Sequence, residues 1–434
     1  MIRDISFSFV AEEIVRPGTD LEIRIKRQFD REVARAAVCL QQDGLNVATS
    51  IDVDEKNGTL NVSTKGLKPG QIREFAKSND VGKVFFDDPK AVPDLVDSMA
   101  IARVPQAIAL GFTGSNVRVA VFEEGPSDLS NLQFEDRYQS IPPASDHARL
   151  TSAIVKNNEP GKPHGYAPGC RLYSANSFNN DALRWALHRE LPELAANGTG
   201  VAALGLSMSG TSFSAPAVAG TAALVQSANP TLKSWPEGCR AILLASADRN
   251  ITGGTWVQDL ATKVDQADGS GALNAFMAVS IAQQRRPRNS PATPRGWDIG
   301  SLTSADIGAD QLARFRYHVH VPPQAQPGPI QFIHTVKVAL AWNSKITLNA
   351  AGVATSSILT VDLDLIVRDS NGQQVAASAS FDNSYEIVEF TGIAGRTYDI
   401  IIRRWSGTDL VWYGIAWNVT TRRFNVAPLV AGLE

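Results

Sequence analysis

Cysteine is scarce in this chain: Cys39, Cys170 and Cys239 are the only three in 434 residues. So few thiols, so widely spaced, exclude a disulfide framework and a cysteine-rich metal site. No apolar run reaches the ~18–20 residues that a membrane-crossing helix needs. An excess of one charge is also missing, since 41 Lys and Arg face 44 Asp and Glu, a net charge of −3. That balance offers no electrostatic pull toward nucleic acid or an anionic membrane, and neither is expected as a partner. The first residues, Met1 to Val10, lack a basic head and a long apolar core, so no signal peptide is visible. Their apolar side chains alternate at Ile5, Phe7 and Phe9, the period of a strand.

What is present suffices for more than one core. Apolar residues make up 44% of the chain, and its length suggests two to four domains. Residues 1–95 read as a small α+β unit, with Asn57-Gly58 as a hairpin turn, a helix opening at Pro69 and a strand from Val81 to Phe86. Residues 96–284 have α/β texture. Val117–Phe122 and Cys170–Ser174 suit buried parallel strands, and Asp181–Glu190, Pro216–Ser227 and Cys239–Ala245 suit helices. The helix at Pro216 is apolar almost all round, which predicts a central position. The basic, proline-rich stretch 285–298 reads as a linker. Residues 299–434 then show short strands at regular spacing, from Phe315–Val321 to Tyr413–Val419, with Asn371-Gly372 as a tight turn. That pattern predicts a β-sandwich or jelly roll.

Chemistry concentrates in Ser209-Gly210-Thr211-Ser212-Phe213-Ser214-Ala215-Pro216. A serine between small residues at a helix start holds its hydroxyl on a rigid element. Free backbone N–H groups beside it favour negative charge on a bound carbonyl oxygen. The same spacing also fits a plain helix cap, with Ser212 or Ser214 serving only the first turn.

The stretch Gly-Thr-Ser-x-Ser-Ala-Pro-x-Val-Ala-Gly resembles the nucleophile motif of the subtilisin-like serine proteases, the subtilases. The resemblance implies a Ser-His-acid triad, with the acid and the histidine upstream. His147, in Asp146-His147-Ala148-Arg149-Leu150, stands where the family has His-Gly-Thr-His, and Gly165-Tyr166-Ala167-Pro168 follows like the family's Gly-x-Ala-Pro turn. Val119-Ala120-Val121-Phe122 ends in Glu123 where the family has aspartate. The implied roles are Ser212 as nucleophile, His147 as general base and Glu123 as the acid behind it. Only 65 positions separate His147 from Ser212, less than half the family's interval, and no oxyanion asparagine can be assigned. Asn197 lies too near the serine loop, while Asn176, Asn179 and Asn180 map no better. His164 and His188 lack a supporting motif and are expected to be exposed.

The resemblance extends to the flanks. Residues 1–95 look like an inhibitory propeptide, and Gly269-Ser270-Gly271-Ala272-Leu273-Asn274-Ala275 looks like the segment closing a subtilase catalytic domain. The β region looks like the jelly-roll domain appended to some secreted bacterial subtilases. The implied fold is therefore a shortened subtilisin-like parallel sheet with flanking helices, a small α+β unit before it and an all-β sandwich after it. The implied activity is a serine endopeptidase acting on a polypeptide substrate, with an extracellular setting and no required cofactor. Asp362, Asp364, Asp382 and Glu386 could hold calcium through oxygen ligands, though paired acids on a solvent face are more commonly solvated charge. Trp405, Trp412, Tyr413 and Trp417 read as core or edge packing. Two rival functions stand beside the protease: a catalytically inactive relative that binds peptides or acts as a scaffold, and a binding module acting through the sandwich.

Overall fold

The computed structural model describes residues 95–425 apart from 124, 127, 139–144, 176–192, 249–268, 325–329, 351–353 and 381–382, and before residue 95 only five strands. The chain divides into two units, Met1–Val92 and Pro93–Glu434. The first unit contains β1 (Asp4–Ser8), β2 (Glu22–Lys26), β3 (Ser50–Asp54), β4 (Thr59–Lys65) and β5 (Lys83–Phe85) in one antiparallel sheet, order β1-β5-β2-β4-β3. β3 and β4 pair with Asp54 opposite Thr59, and the turn expected at Asn57-Gly58 lies outside the described residues. The helix expected at Pro69 lies outside the described residues.

The second unit starts with two short helices, α1 (Leu95–Ile101) and α2 (Val104–Ala109). A three-stranded parallel sheet follows, made of β6 (Arg118–Phe122), β7 (Asp136–Tyr138) and β8 (Arg171–Ala175) in the order β6-β8-β7. Parallel neighbours need a crossover, and α3 (Asp146–Val155) supplies it between β7 and β8. A hairpin of β9 (Val201–Ala203) and β10 (Leu206–Met208) turns at Leu204 and Gly205, both at positive φ, and leads into α4 (Thr211–Ala228). α5 (Pro236–Ser246) and α6 (Ala275–Ala282) complete the helical layer. α4 is central, as its composition predicts: Ala217, Leu224 and Val225 are fully buried. It begins earlier than the sequence suggests, at Thr211, so that Pro216 sits inside it. The expected helix at Asp181–Glu190 lies outside the described residues.

The remaining strands are β11 (Arg295–Leu302), β12 (Tyr317–His320), β13 (Ile330–Trp342), β14 (Lys345–Leu348), β15 (Ala354–Ile358), β16 (Asp362–Arg368), β17 (Gln374–Ser378), β18 (Tyr385–Gly392), β19 (Thr397–Ser406) and β20 (Val411–Asn425). Eight of them form two antiparallel sheets, β11-β20-β13-β18 and β12-β19-β16-β17. The two share one core, in which Val336, Val338 and Trp342 meet Leu363, Leu365 and Ile400. This strand-rich, antiparallel region is compatible with the expected sandwich. β14 and β15 form a separate hairpin, carrying the exposed Ile346, Leu348 and Ile358.

Stretch 285–298 differs from the linker expected of it. Residues from Arg295 onward form β11, Trp297 is fully buried with its ring N–H donating to Ala282 O at 2.8 Å, and Arg285 holds Asp298 at 3.0 Å. The many arginines suggested solvated chain, but they neutralise acids and cover aromatic rings: Arg288 stacks on Phe315 at 4.3 Å. Behind this seam the helical layer and the sandwich share a continuous core, with Trp297, Ile299, Ala339, Tyr385 and Ala416 packed among the helices.

Candidate active site

β6 ends at Phe122, yet the Glu123 N–H still donates to Ala175 O at 2.9 Å, carrying the parallel ladder one residue further. Glu123 therefore leaves the sheet at its carboxyl end, where open α/β sheets gather ligand chemistry. The next element toward it is α3, capped by Ser145, whose side chain accepts from the Ala148 N–H at 3.1 Å. His147 occupies the first turn of α3. Its Nδ1 lies 3.2 Å from Glu123 Oε2, the two side chains being 38% and 31% exposed. With the Nδ1 proton directed at the carboxylate, Nε2 of the neutral ring is the nitrogen left to accept a proton.

α4 approaches from the other side. Gly210 is its N-cap and no side chain caps it, so the alternative in which Ser212 or Ser214 serves only as a cap is not what the helix uses. The Ser214 hydroxyl instead donates to Ala196 O at 2.9 Å, and Ser212 is exposed in the first turn. The Ser212 N–H belongs to the first turn, where amides lack the carbonyl four residues back; its neighbour, the Phe213 N–H, donates instead to Gly210 O at 3.0 Å. Pro216, four residues on, has no N–H to offer the Ser212 carbonyl. Segment 195–198 braces the loop: Gly210 N–H donates to Gly198 O at 2.8 Å. A Cβ on Gly198 would come within 2.3 Å of Ser214 Oγ and 2.4 Å of Gly210 O, so the segment can approach this closely only as glycine.

Phe213 joins the two helices. It is 3% exposed, and its ring lies 5.2 Å from the His147 ring at an interplanar angle of 53°. His147 thus packs on the same turn of α4 that carries Ser212. The structure brings Glu123 and His147 into direct contact and brings that pair to the Ser212 turn. Sequence reasoning missed Phe213; the only signal available was an aromatic residue directly after the candidate nucleophile.

The other candidates fall elsewhere. His164 is exposed, as expected, and His188 lies outside the described residues. Asn197 Oδ1 accepts from the Thr199 N–H at 3.1 Å, whereas Asn176, Asn179 and Asn180 lie outside the described residues. Burial pushes the thiols of Cys170 and Cys239 up to about 11, which leaves neither as a thiolate nucleophile near neutral pH. Of the calcium set, Asp364 pairs with Arg403, and Glu386 accepts from the Ser378 hydroxyl and, at 2.8 Å, from the Ser380 N–H. Asp362 is buried, and Asp382 lies outside the described residues. Among the described residues, which leave out Asp382, no three His, Cys, Asp or Glu converge as a metal site. Tyr413 and Trp417 are core residues, as expected, but Trp405 and Trp412 are exposed; Trp412 meets Trp235 edge-on at 5.3 Å.

The sequence model of the subtilase family matches residues 185–272, a span that contains Ser212 but neither His147 nor Glu123. No curated protein matches this sequence. Among solved structures, the epidermin leader peptide processing serine protease (EpiP) of Staphylococcus aureus is similar at 11% identity over 62% of this chain and 99% of its own, with a TM-score of 0.30. The pre-peptidase C-terminal domain of a Bacillus anthracis collagenase is 14% identical over 30% of this chain and 99% of its own, with a TM-score of 0.18. PliG, a periplasmic inhibitor of g-type lysozyme from Aeromonas hydrophila, is 12% identical over 30% of this chain and 96% of its own, with a TM-score of 0.15. The family-model match relates residues 185–272, the segment around the serine loop, to the subtilase family of serine proteases.

Proposed function

We propose that this chain is a serine endopeptidase of subtilisin type that hydrolyses peptide bonds through an acyl-enzyme. The Ser212 hydroxyl attacks the substrate carbonyl while His147 Nε2 takes its proton. The imidazolium then returns that proton to the leaving amine, and a water repeats the sequence to release the acid. Glu123 fixes the ring with Nδ1 protonated and balances the charge that His147 gains. Developing charge on the carbonyl oxygen is met by the Ser212 N–H at the uncapped start of α4.

The observation that carries this reading is the His147–Glu123 contact of 3.2 Å beside an exposed Ser212 on an uncapped helix. The subtilase match over the serine loop supports it independently. An oxyanion hole short of one side-chain donor turns over about 10²–10³ more slowly, so a slow enzyme is expected. Hydrolysis of a casein-derived peptide mixture tests the reading: it should proceed with the unsubstituted chain and stop with Ser212→Ala. Equal hydrolysis by the two proteins would contradict it. A folded chain that binds the peptides without cutting them would support the peptide-binding rival. We further infer that the first unit, Met1–Val92, serves as a propeptide, which requires cleavage near residues 95–105 in a Ser212-dependent manner.

A further inference from the structure

We propose that Arg149 and Asp128 form a clamp that positions Glu123 against His147, with Arg137 as a second tether. The proposal rests on the reading above, because its target is the Glu123–His147 pair. The starting observation is that the chain departs from the subtilase motif twice: a glutamate stands in the acid position, and Arg149 stands where the histidine motif has threonine. A glutamate has one more rotatable bond than an aspartate, so its carboxylate wanders further unless the backbone that bears it is held.

The structure ties down the stretch that follows Glu123, at Pro126 and Asp128. After Glu123 the chain runs out through Pro126 to Asp128, whose side chain is 48% exposed. Asp128 Oδ1 accepts from the Ser130 N–H at 2.8 Å, which turns Oδ2 toward Arg149 Nη1. Arg149 lies on α3, in the same turn as His147, and its side chain is only 14% exposed. On the other flank, Arg137 of β7 donates from Nη2 to Pro126 O at 3.2 Å. A third tie follows the loop, where the Asn158 N–H donates to Asn131 O at 2.8 Å. The helix that carries the base thus grips the loop that carries the acid.

An exposed ion pair contributes little to stability, about 0–1 kcal/mol. Its value here is geometric, because a displacement near 1 Å at a reacting group costs about a hundredfold in rate. Arg149 and Asp128 touch neither substrate nor reacting atoms, so they are positioning residues.

The test uses the full chain and two readouts. Nitrogen chemical shifts of the neutral His147 ring report how much of it is protonated on Nδ1, with or without activity. The acylation rate of Ser212 reports function. Arg149→Met, and Asp128→Asn at the exposed end of the pair, should each lower the Nδ1-protonated fraction toward that of Glu123→Ala. Acylation should fall about 10–100-fold with KM little changed. The exchanged pair, Arg149→Asp with Asp128→Arg, should recover both. A His147 ring and rate indistinguishable from the unsubstituted chain in both single variants would overturn the clamp, as would losses that the exchanged pair fails to recover. If the unsubstituted chain does not acylate at all, the protease reading fails, and the ring tautomer alone decides for or against the clamp.

Discussion

Two buried or half-buried carboxyls illustrate how surroundings decide what one chemical group does. Glu123 is about one-third exposed and faces an imidazole, where its negative charge has a use. Glu123→Gln keeps the size and removes the charge. By analogy with the same change in a serine protease triad, turnover is expected to fall by up to about 10⁴-fold, measured as kcat on a peptide ester. Glu386 has no exposure and accepts from Ser378 and Ser380. Desolvation pushes its carboxyl well above the usual range, the two serine hydrogen bonds oppose this, and the nearby Asp364 and Asp362 push it further up. The folded state therefore holds the Glu386 proton more tightly than the unfolded chain. The resulting stability is complete below the unfolded value, near 4.3, and is lost as pH rises through the folded value. Glu386→Gln should match the unsubstituted chain in acid and exceed it in urea midpoint at neutral and alkaline pH. A difference that is the same at every pH would contradict this.

The decisive element is α4, which must pass close to the turn after α3 so that its own first turn meets His147. Gly220 permits the approach: a Cβ there would come within 2.4 Å of Tyr166 Cβ. Tyr166 cannot move away, because its hydroxyl donates to Ser98 O at 2.8 Å and its ring is fully buried. Gly220→Ala is expected to cost about 1–3 kcal/mol, read from urea unfolding. Much at this level was legible in the sequence. Strands β12, β13 and β16 to β20 fall where alternating apolar residues predict them, because each has one face in the sandwich core. β11 was hidden by the arginines just before it, Arg285 and Arg288, whose partners Asp298 and Phe315 become neighbours only on folding. The hairpin of β14 and β15 was hidden for the opposite reason: its Ile346 and Leu348 stay exposed, so no core imposes a pattern on it. Within the candidate site, motif order indicated Glu123, His147 and Ser212. The contact between Phe213 and His147, and the grip of Arg149 on Asp128, are long-range meetings that no local spacing encodes.

Within the second unit, the sandwich is part of the fold that supports the site. Lys337 of β13 crosses from the sandwich and donates to Ala247 O and Ser270 O, each at 2.7 Å, while pairing with Glu389 at 3.1 Å. Arg240 of α5 reaches the other way, to Trp342 O at 3.2 Å and Ser384 O at 3.1 Å, while gripping Glu193 at 2.8 Å. From Glu193 the braces continue through Ala195 and Ala196 to Ser214 in the turn of Ser212. Lys337→Met leaves Glu389 and two carbonyls buried without this cation, and a loss of about 3–5 kcal/mol is expected. Because one sandwich sheet packs its outer face into the helical core, residues 93–434 should unfold in one cooperative transition by calorimetry; a separate melting of the sandwich would contradict that. The function proposed for the whole molecule comes down to whether Ser212 is an activated nucleophile. A fluorophosphonate added to the folded chain, followed by mass-spectrometric mapping of the adduct, answers this directly. Labelling at Ser212, absent from both Ser212→Ala and His147→Ala, is the expected result, and a folded chain that takes up no label, or takes it up without regard to His147, would contradict it.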